Sequence, residues 1–140
     1  MLNLGYQTIL FPEVWKAVSY AGLDPYAGYL HADRPGKPSL VLDLMEEFRQ
    51  QIVDRTVISL LSRNVIKPDK VLAVERQEEG RVLDRDVVKT IIASLLERLE
   101  TKAMFNGRRA PIKRFIYSQA RRLVRFLLNE VNYAPFVLGW

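Results

Sequence analysis

Apolar residues recur at helical spacing along most of this 140-residue chain, and one Gly/Pro-dense segment interrupts them. Leu2, Leu4, Ile9, Leu10, Val14, Trp15 and Val18 describe a buried, largely apolar helix. Pro12 falls inside it, either as a kink or as the first turn of a second helix. Gly22 marks a C-terminal stop, and Asp24-Pro25 a turn. Residues 26–38 carry too many Gly and Pro for a helix and read as a loop. Ser39 reads as the N-cap of a long helix reaching about Asn64, with Leu40, Leu44, Phe48, Ile52, Val57 and Leu61 as its apolar stripe. Between Lys67 and Leu83, the apolar run Val71–Val74, the polar run to Gly80 and Arg81–Leu83 fit a small β-hairpin near 70–83. Asp84 opens another capped helix, with Val87, Val88, Ile91, Ile92, Leu95, Leu96 and Leu99 on one face, and Asn106-Gly107 ends it. The last helix starts near Pro111 and turns Ile112, Phe115, Ile116, Ala120, Leu123, Val124 and Leu127 inwards. The aromatic, apolar run from Tyr133 to Trp140 is expected to pack on the core or on a neighbour. The fold class is mainly α, in one domain.

Composition narrows the chemistry. Cysteine is absent, which removes disulfides, thiolate metal sites and cysteine nucleophiles and suits a reducing cytoplasm. No apolar run approaches the roughly 20 residues that span a bilayer, and residues 1–11 have no signal-peptide pattern. The net charge of +5 is unevenly spread. Acidic residues outnumber basic ones over 75–86, whereas 108–125 hold no carboxylate, a pattern that suits a polyanionic partner. No phosphate-cradling glycine loop, dinucleotide fingerprint or nucleophile–histidine–acid set is present.

The lone histidine, His31, sits in the Gly/Pro-rich loop. Asp43, Glu46 and Glu47 follow on the expected long helix. Asp43 and Glu46 are three apart and share a face; Asp43 and Glu47 are four apart and could also converge. Hard oxygen ligands with one imidazole suit Mg2+ or Mn2+ in phosphodiester chemistry. Spacing alone also fits a solvated helix face and a surface histidine.

The wording of the sequence goes further. Ala21-Gly22-Leu23-Asp24-Pro25, Gly28-Tyr29-Leu30-His31, Arg34-Pro35-Gly36-Lys37-Pro38-Ser39-Leu40 and Leu42-Asp43-Leu44-Met45-Glu46-Glu47-Phe48-Arg49 resemble the core of the CRISPR-associated endonuclease that integrates new spacers. Leu2-Asn3-Leu4-Gly5-Tyr6, Gln119-Ala120-Arg121-Arg122-Leu123 and Tyr133-Ala134-Pro135-Phe136 are similar to flanking parts of the same family. The resemblance implies that residues 1–140 form its helical C-terminal catalytic domain. It implies His31 and Glu46 as metal ligands with Asp43 beside them, and DNA cutting and joining through attack by a 3′-hydroxyl. It also implies DNA, a companion copy and the small second protein of spacer acquisition as partners. The family's first metal ligand is a glutamate upstream of Leu2-Asn3-Leu4-Gly5-Tyr6, which these residues do not include. Glu13 does not replace it, and the β-rich dimerisation domain is not among these residues either. This chain alone is therefore expected not to cut DNA.

Lys102, Arg108, Arg109, Lys113, Arg114, Arg121, Arg122 and Arg125 form the densest positive stretch. Arg114, Arg121, Arg122 and Arg125 are spaced to lie together on a helix and are read as DNA-phosphate contacts, with Arg34 and Lys37 beside His31. Two other readings stay open. One is a non-catalytic helical DNA-binding or assembly module. The other is a protein-interaction domain using an exposed tail from Phe136 to Trp140.

Overall fold

The computed structural model describes residues 1–28, 35–72 and 83–138. Two long rods dominate it. The first runs through α1 (Leu2–Gly5), a π-helical segment (Tyr6–Leu10) and α2 (Phe11–Tyr20). The second runs through α3 (Ser39–Phe48), a π-helical segment (Arg49–Asp54) and α4 (Arg55–Ser62). The junction residues keep helical dihedrals, so each rod is continuous. Pro12 accounts for the first π segment: it offers no N–H to the Thr8 carbonyl and its ring crowds that oxygen, so the helix widens just upstream. The second π segment holds no proline. There the Arg98 guanidinium donates to the Gln51 carbonyl at 3.1 and 3.3 Å, a side chain from another helix bonded to the widened ladder.

The rods meet α6 (Arg85–Glu100) at a close crossing centred on Gly5. A Cβ there would lie 2.7 Å from Val53 Cγ1 and 2.9 Å from Leu95 Cδ1. Gly5→Ala should therefore destabilise the protein by about 1–3 kcal/mol, even though alanine favours a helix by roughly 1 kcal/mol over glycine. Urea denaturation checks this, and a stabilised variant would show that the crossing can open without cost.

α6 starts where expected, with Asp84 Oδ1 accepting from Asp86 N at 2.7 Å and Val87 N at 3.4 Å. Ser39 is not a cap. It is the first helical residue, fully buried, with Pro38 ahead of it. Asn106-Gly107 does not end α6, which stops at Glu100. Instead it turns a hairpin of β1 (Lys102–Phe105) and β2 (Arg108–Pro111), with Phe105 paired to Arg108 and Lys102 to Pro111. Both turn residues have positive φ, 49° and 73°, the type I′ geometry that an Asn-Gly pair favours.

The hairpin expected near 70–83 is not in the described part of that range. Val71 and Leu72 close a short helix, α5 (Pro68–Leu72), and residues 73–82 lie outside the described residues. The mainly α class holds, with one two-stranded sheet in the described residues at a different place.

The final helix, α7 (Ile112–Leu127), buries Ile112, Phe115, Ile116, Ala120 and Leu123 against α2 and α3. The tail packs on this core through Phe136 and Leu138, which are buried, while Val137 between them is exposed and 139–140 lie outside the described residues. No helix among the described residues is long and apolar enough to cross a membrane.

Candidate active site

α3 places Asp43, Glu46 and Glu47 within little more than one turn, with Asp43 between the other two in projection, each within about 60° of it. Asp43 is buried, at 7% exposure. Glu46 turns outward and accepts from Arg49 Nη1 at 2.6 Å. The Arg49 guanidinium lies 4.2 Å over the Tyr6 ring, and the Tyr6 hydroxyl donates to Asp54. The two π segments thus supply a buttress for Glu46, and that hydrogen bond raises the Arg49 pKa above its ordinary value.

Glu47 points the other way. Its Oε2 accepts from Gln119 Nε2 at 2.8 Å and from the Phe136 backbone N–H at 2.9 Å, and its Oε1 accepts from the Tyr133 hydroxyl. Burial, reinforced by the Glu47 carboxylate, pushes the Tyr133 phenol well above its usual pKa and keeps it a donor. Asp43, Glu47 and Tyr133 share a cavity of about 180 Å3 with Leu40, Leu123 and Phe126.

His31 and Arg34 lie outside the described residues. Lys37 precedes α3, its carbonyl accepting from Ser39 N at 2.8 Å. Among the described residues no group of three acidic or imidazole side chains is gathered to hold a metal ion. The carboxylates of Asp43 and Glu46 are hard oxygen donors on a rigid helix, which fits Mg2+ or Mn2+ in kind. Glu47 has its oxygens committed to neutral donors.

On α7, Arg114, Ser118, Arg121 and Arg125 form one stripe, at spacings of four, three and four residues. Arg114, Arg121 and Arg125 are exposed. Arg125 pairs with Glu130 at 3.2 Å on the open surface. Arg122 differs: its Nε and Nη2 donate to the Asn132 carbonyl at 3.2 and 3.1 Å and hold the turn after α7. Lys113 pairs with Glu13 at 3.7 Å.

The hairpin adds two cations that the helical spacing left out. Clefts of about 390 and 610 Å3 between the hairpin and α7 share Arg108, Phe115, Ser118 and Arg121, and the larger also includes Arg109 and Arg114. Among the described residues, no carboxylate pairs with Arg108, Arg109, Arg114 or Arg121. The Asn-Gly pair was the signal for them, since a tight turn there folds Arg108 and Arg109 back beside α7. Gln119, fully buried, lines the smaller cleft and reaches Glu47, so the basic cleft and the acidic helix lie on two sides of one side chain.

Comparison with known proteins matches residues 1–97 to the family model described as CRISPR associated protein Cas1. The chain is 46% identical over all 140 residues to the CRISPR-associated endonuclease Cas1 1 of Archaeoglobus fulgidus, covering 39% of that protein. It is 36% identical, again over its whole length, to the protein of the same name from Francisella tularensis subsp. novicida, covering 40%. The chain thus spans about two fifths of the length of these curated relatives. Among solved structures, a casposase bound to integration product superposes with a TM-score of 0.79 at 30% identity, over 94% of this chain and 37% of that one. A Cas1 protein from Thermotoga maritima superposes at 0.80 and 21% identity, over 95% of this chain and 41% of its own, which speaks for the fold alone.

Proposed function

Because this chain belongs to the CRISPR-associated Cas1 family, we propose that it carries part of the metal-binding and DNA-binding surface of a DNA endonuclease and integrase. The observation that carries this reading is the pairing of an acidic turn on α3 with arginine-lined clefts on α7, joined through Gln119. Asp43 and Glu46, with His31, would hold Mg2+ or Mn2+. When bound, such an ion would supply Lewis acidity toward a phosphate oxygen. Arg49 holds the Glu46 carboxylate in place, and the burial of Asp43 limits its exchange with water.

The substrate is DNA. Arg108, Arg109, Arg114, Arg121 and Arg125, with Arg34 and Lys37 near the histidine, would meet its phosphates, which contributes affinity rather than sequence choice. Attack by a spacer 3′-hydroxyl on a phosphate of the CRISPR repeat forms one P–O bond and breaks another, so cutting and joining occur in one transesterification. Water as the attacker would only cut. A companion copy and the small second protein of spacer acquisition complete the proposed assembly.

Calorimetric titration with Mn2+ tests the metal assignment. Uptake by the wild-type chain should be lost in His31→Ala and in Glu46→Ala. DNA binding with metal uptake absent, or unchanged in both variants, would leave a helical DNA-binding module and remove the catalytic assignment.

A further inference from the structure

We propose that the hairpin of β1 and β2 enters the major groove of duplex DNA and that Met104 is its contact to the methyl groups of thymine. The inference rests on the DNA-binding reading above and adds to it an element that reads bases. From Lys102 to Pro111 the hairpin holds three basic residues and no acidic one. Ala103 and Phe105 are half-buried, whereas Lys102 and Met104 face solvent, Met104 with 59% of its surface exposed. The register sets Arg109 directly across from Met104 on the same face, their β-carbons about 5 Å apart. Arg109 also lines the larger of the two arginine clefts. A phosphate held there would leave Met104 beside the DNA backbone, where the base edges begin.

The hairpin is held firmly enough to present that face. Phe105 meets Phe115 at 5.6 Å and Phe136 at 4.8 Å, and the Ile112 N–H donates to the Thr101 carbonyl at 3.0 Å across the base. The major groove, about 12 Å wide, admits a two-stranded ribbon, and it alone displays the thymine methyl. Single exposed apolar residues are ordinary on protein surfaces. Met104 differs in its setting. Lys102 and Arg109 flank it, so the face that draws phosphates also offers one adaptable, polarisable side chain to an apolar group. A side chain this exposed contributes little to the core, and contact with a methyl group would take it out of water.

The test measures binding of the full 140-residue chain, by fluorescence anisotropy, to an alternating adenine–thymine duplex and to the same duplex with uracil in place of thymine. Uracil removes only the methyl group and keeps every phosphate and base pair. The wild type should favour the thymine duplex by about fourfold or more, the worth of one buried methyl. Met104→Ala should bind the two duplexes equally. Met104→Leu keeps an apolar chain at an exposed position, so it folds if the wild type does, and it should keep the preference. Equal affinities for the two duplexes in the wild type, or a preference that survives Met104→Ala, overturn the groove contact and leave phosphate binding intact. A wild-type chain with no salt-dependent affinity for either duplex refutes the DNA-binding reading and this inference together.

Discussion

Replacing Phe48 with alanine lowers the free energy of unfolding by about 3–5 kcal/mol. Phe48 is fully buried, and its ring stacks on Phe136 at 4.8 Å with 27° between planes. Phe136 in turn meets Phe105 of the hairpin at 4.8 Å and Phe115 of α7 at 5.6 Å. Four rings from α3, the hairpin, α7 and the tail thus share one cluster. Removing the first leaves a cavity against the Phe136 ring, which Phe105 and Phe115 hold in place from its other contacts and so keep from collapsing into it. For a domain of this size the melting temperature should fall by about 10 °C or more. Urea denaturation monitored by circular dichroism measures it; a loss below about 1 kcal/mol would mean that the tail repacks freely.

The second large effect concerns DNA. Changing Arg108, Arg114 and Arg121 together to alanine should weaken duplex binding on the order of 100-fold, at roughly 1 kcal/mol or more for each guanidinium–phosphate interaction removed. The slope of log affinity against log salt should become shallower by about three, and the weakening should be the same for unrelated DNA sequences. These three arginines have no carboxylate partner among the described residues, so their removal leaves no buried charge unpaired. Arg122→Ala is the internal control. Its guanidinium is engaged with the Asn132 carbonyl, so its removal should loosen the tail and leave the salt slope unchanged. An unaltered slope in the triple variant would remove the clefts as a phosphate surface.

How far the residues announced this arrangement differs from part to part. The helices of Asp84 and Pro111 were legible because a capping side chain or a fixed φ marks the start and a regular apolar stripe follows. The hairpin at 102–111 was not, although its Asn-Gly turn is a strong local signal. Its strands are four residues each and mostly exposed, too short to show alternation against the helices on either side. The π segments left no trace in the spacing, because a one-residue widening is absorbed within a single apolar stripe.

The acidic turn shows the limit most clearly. Spacing allowed Asp43 to converge with Glu46 or with Glu47, and both options respect helical geometry. What separates them is a tail some ninety residues further on, which claims Glu47 and leaves Glu46 to Arg49. The family resemblance at 31–49 singles out Asp43 and Glu46 without that knowledge, and the family match over residues 1–97 spans both. The resemblance also takes in Gln119, Tyr133 and Phe136, but nothing in it pairs them with Glu47.

The hydrogen bond between Phe136 N–H and Glu47 joins positions 89 residues apart, and the aromatic cluster closes across the same interval. During synthesis on the ribosome, α3 emerges long before its final neighbours exist. Phe48 must wait, exposed to water or to other chains, until residue 136 clears the exit tunnel. Completion of this domain is consequently a late, long-loop event, slowed by the entropy of closing that interval. A nascent chain stalled after Phe48 has left the tunnel and before residue 136 has done so would present the face around Phe48 to chaperones.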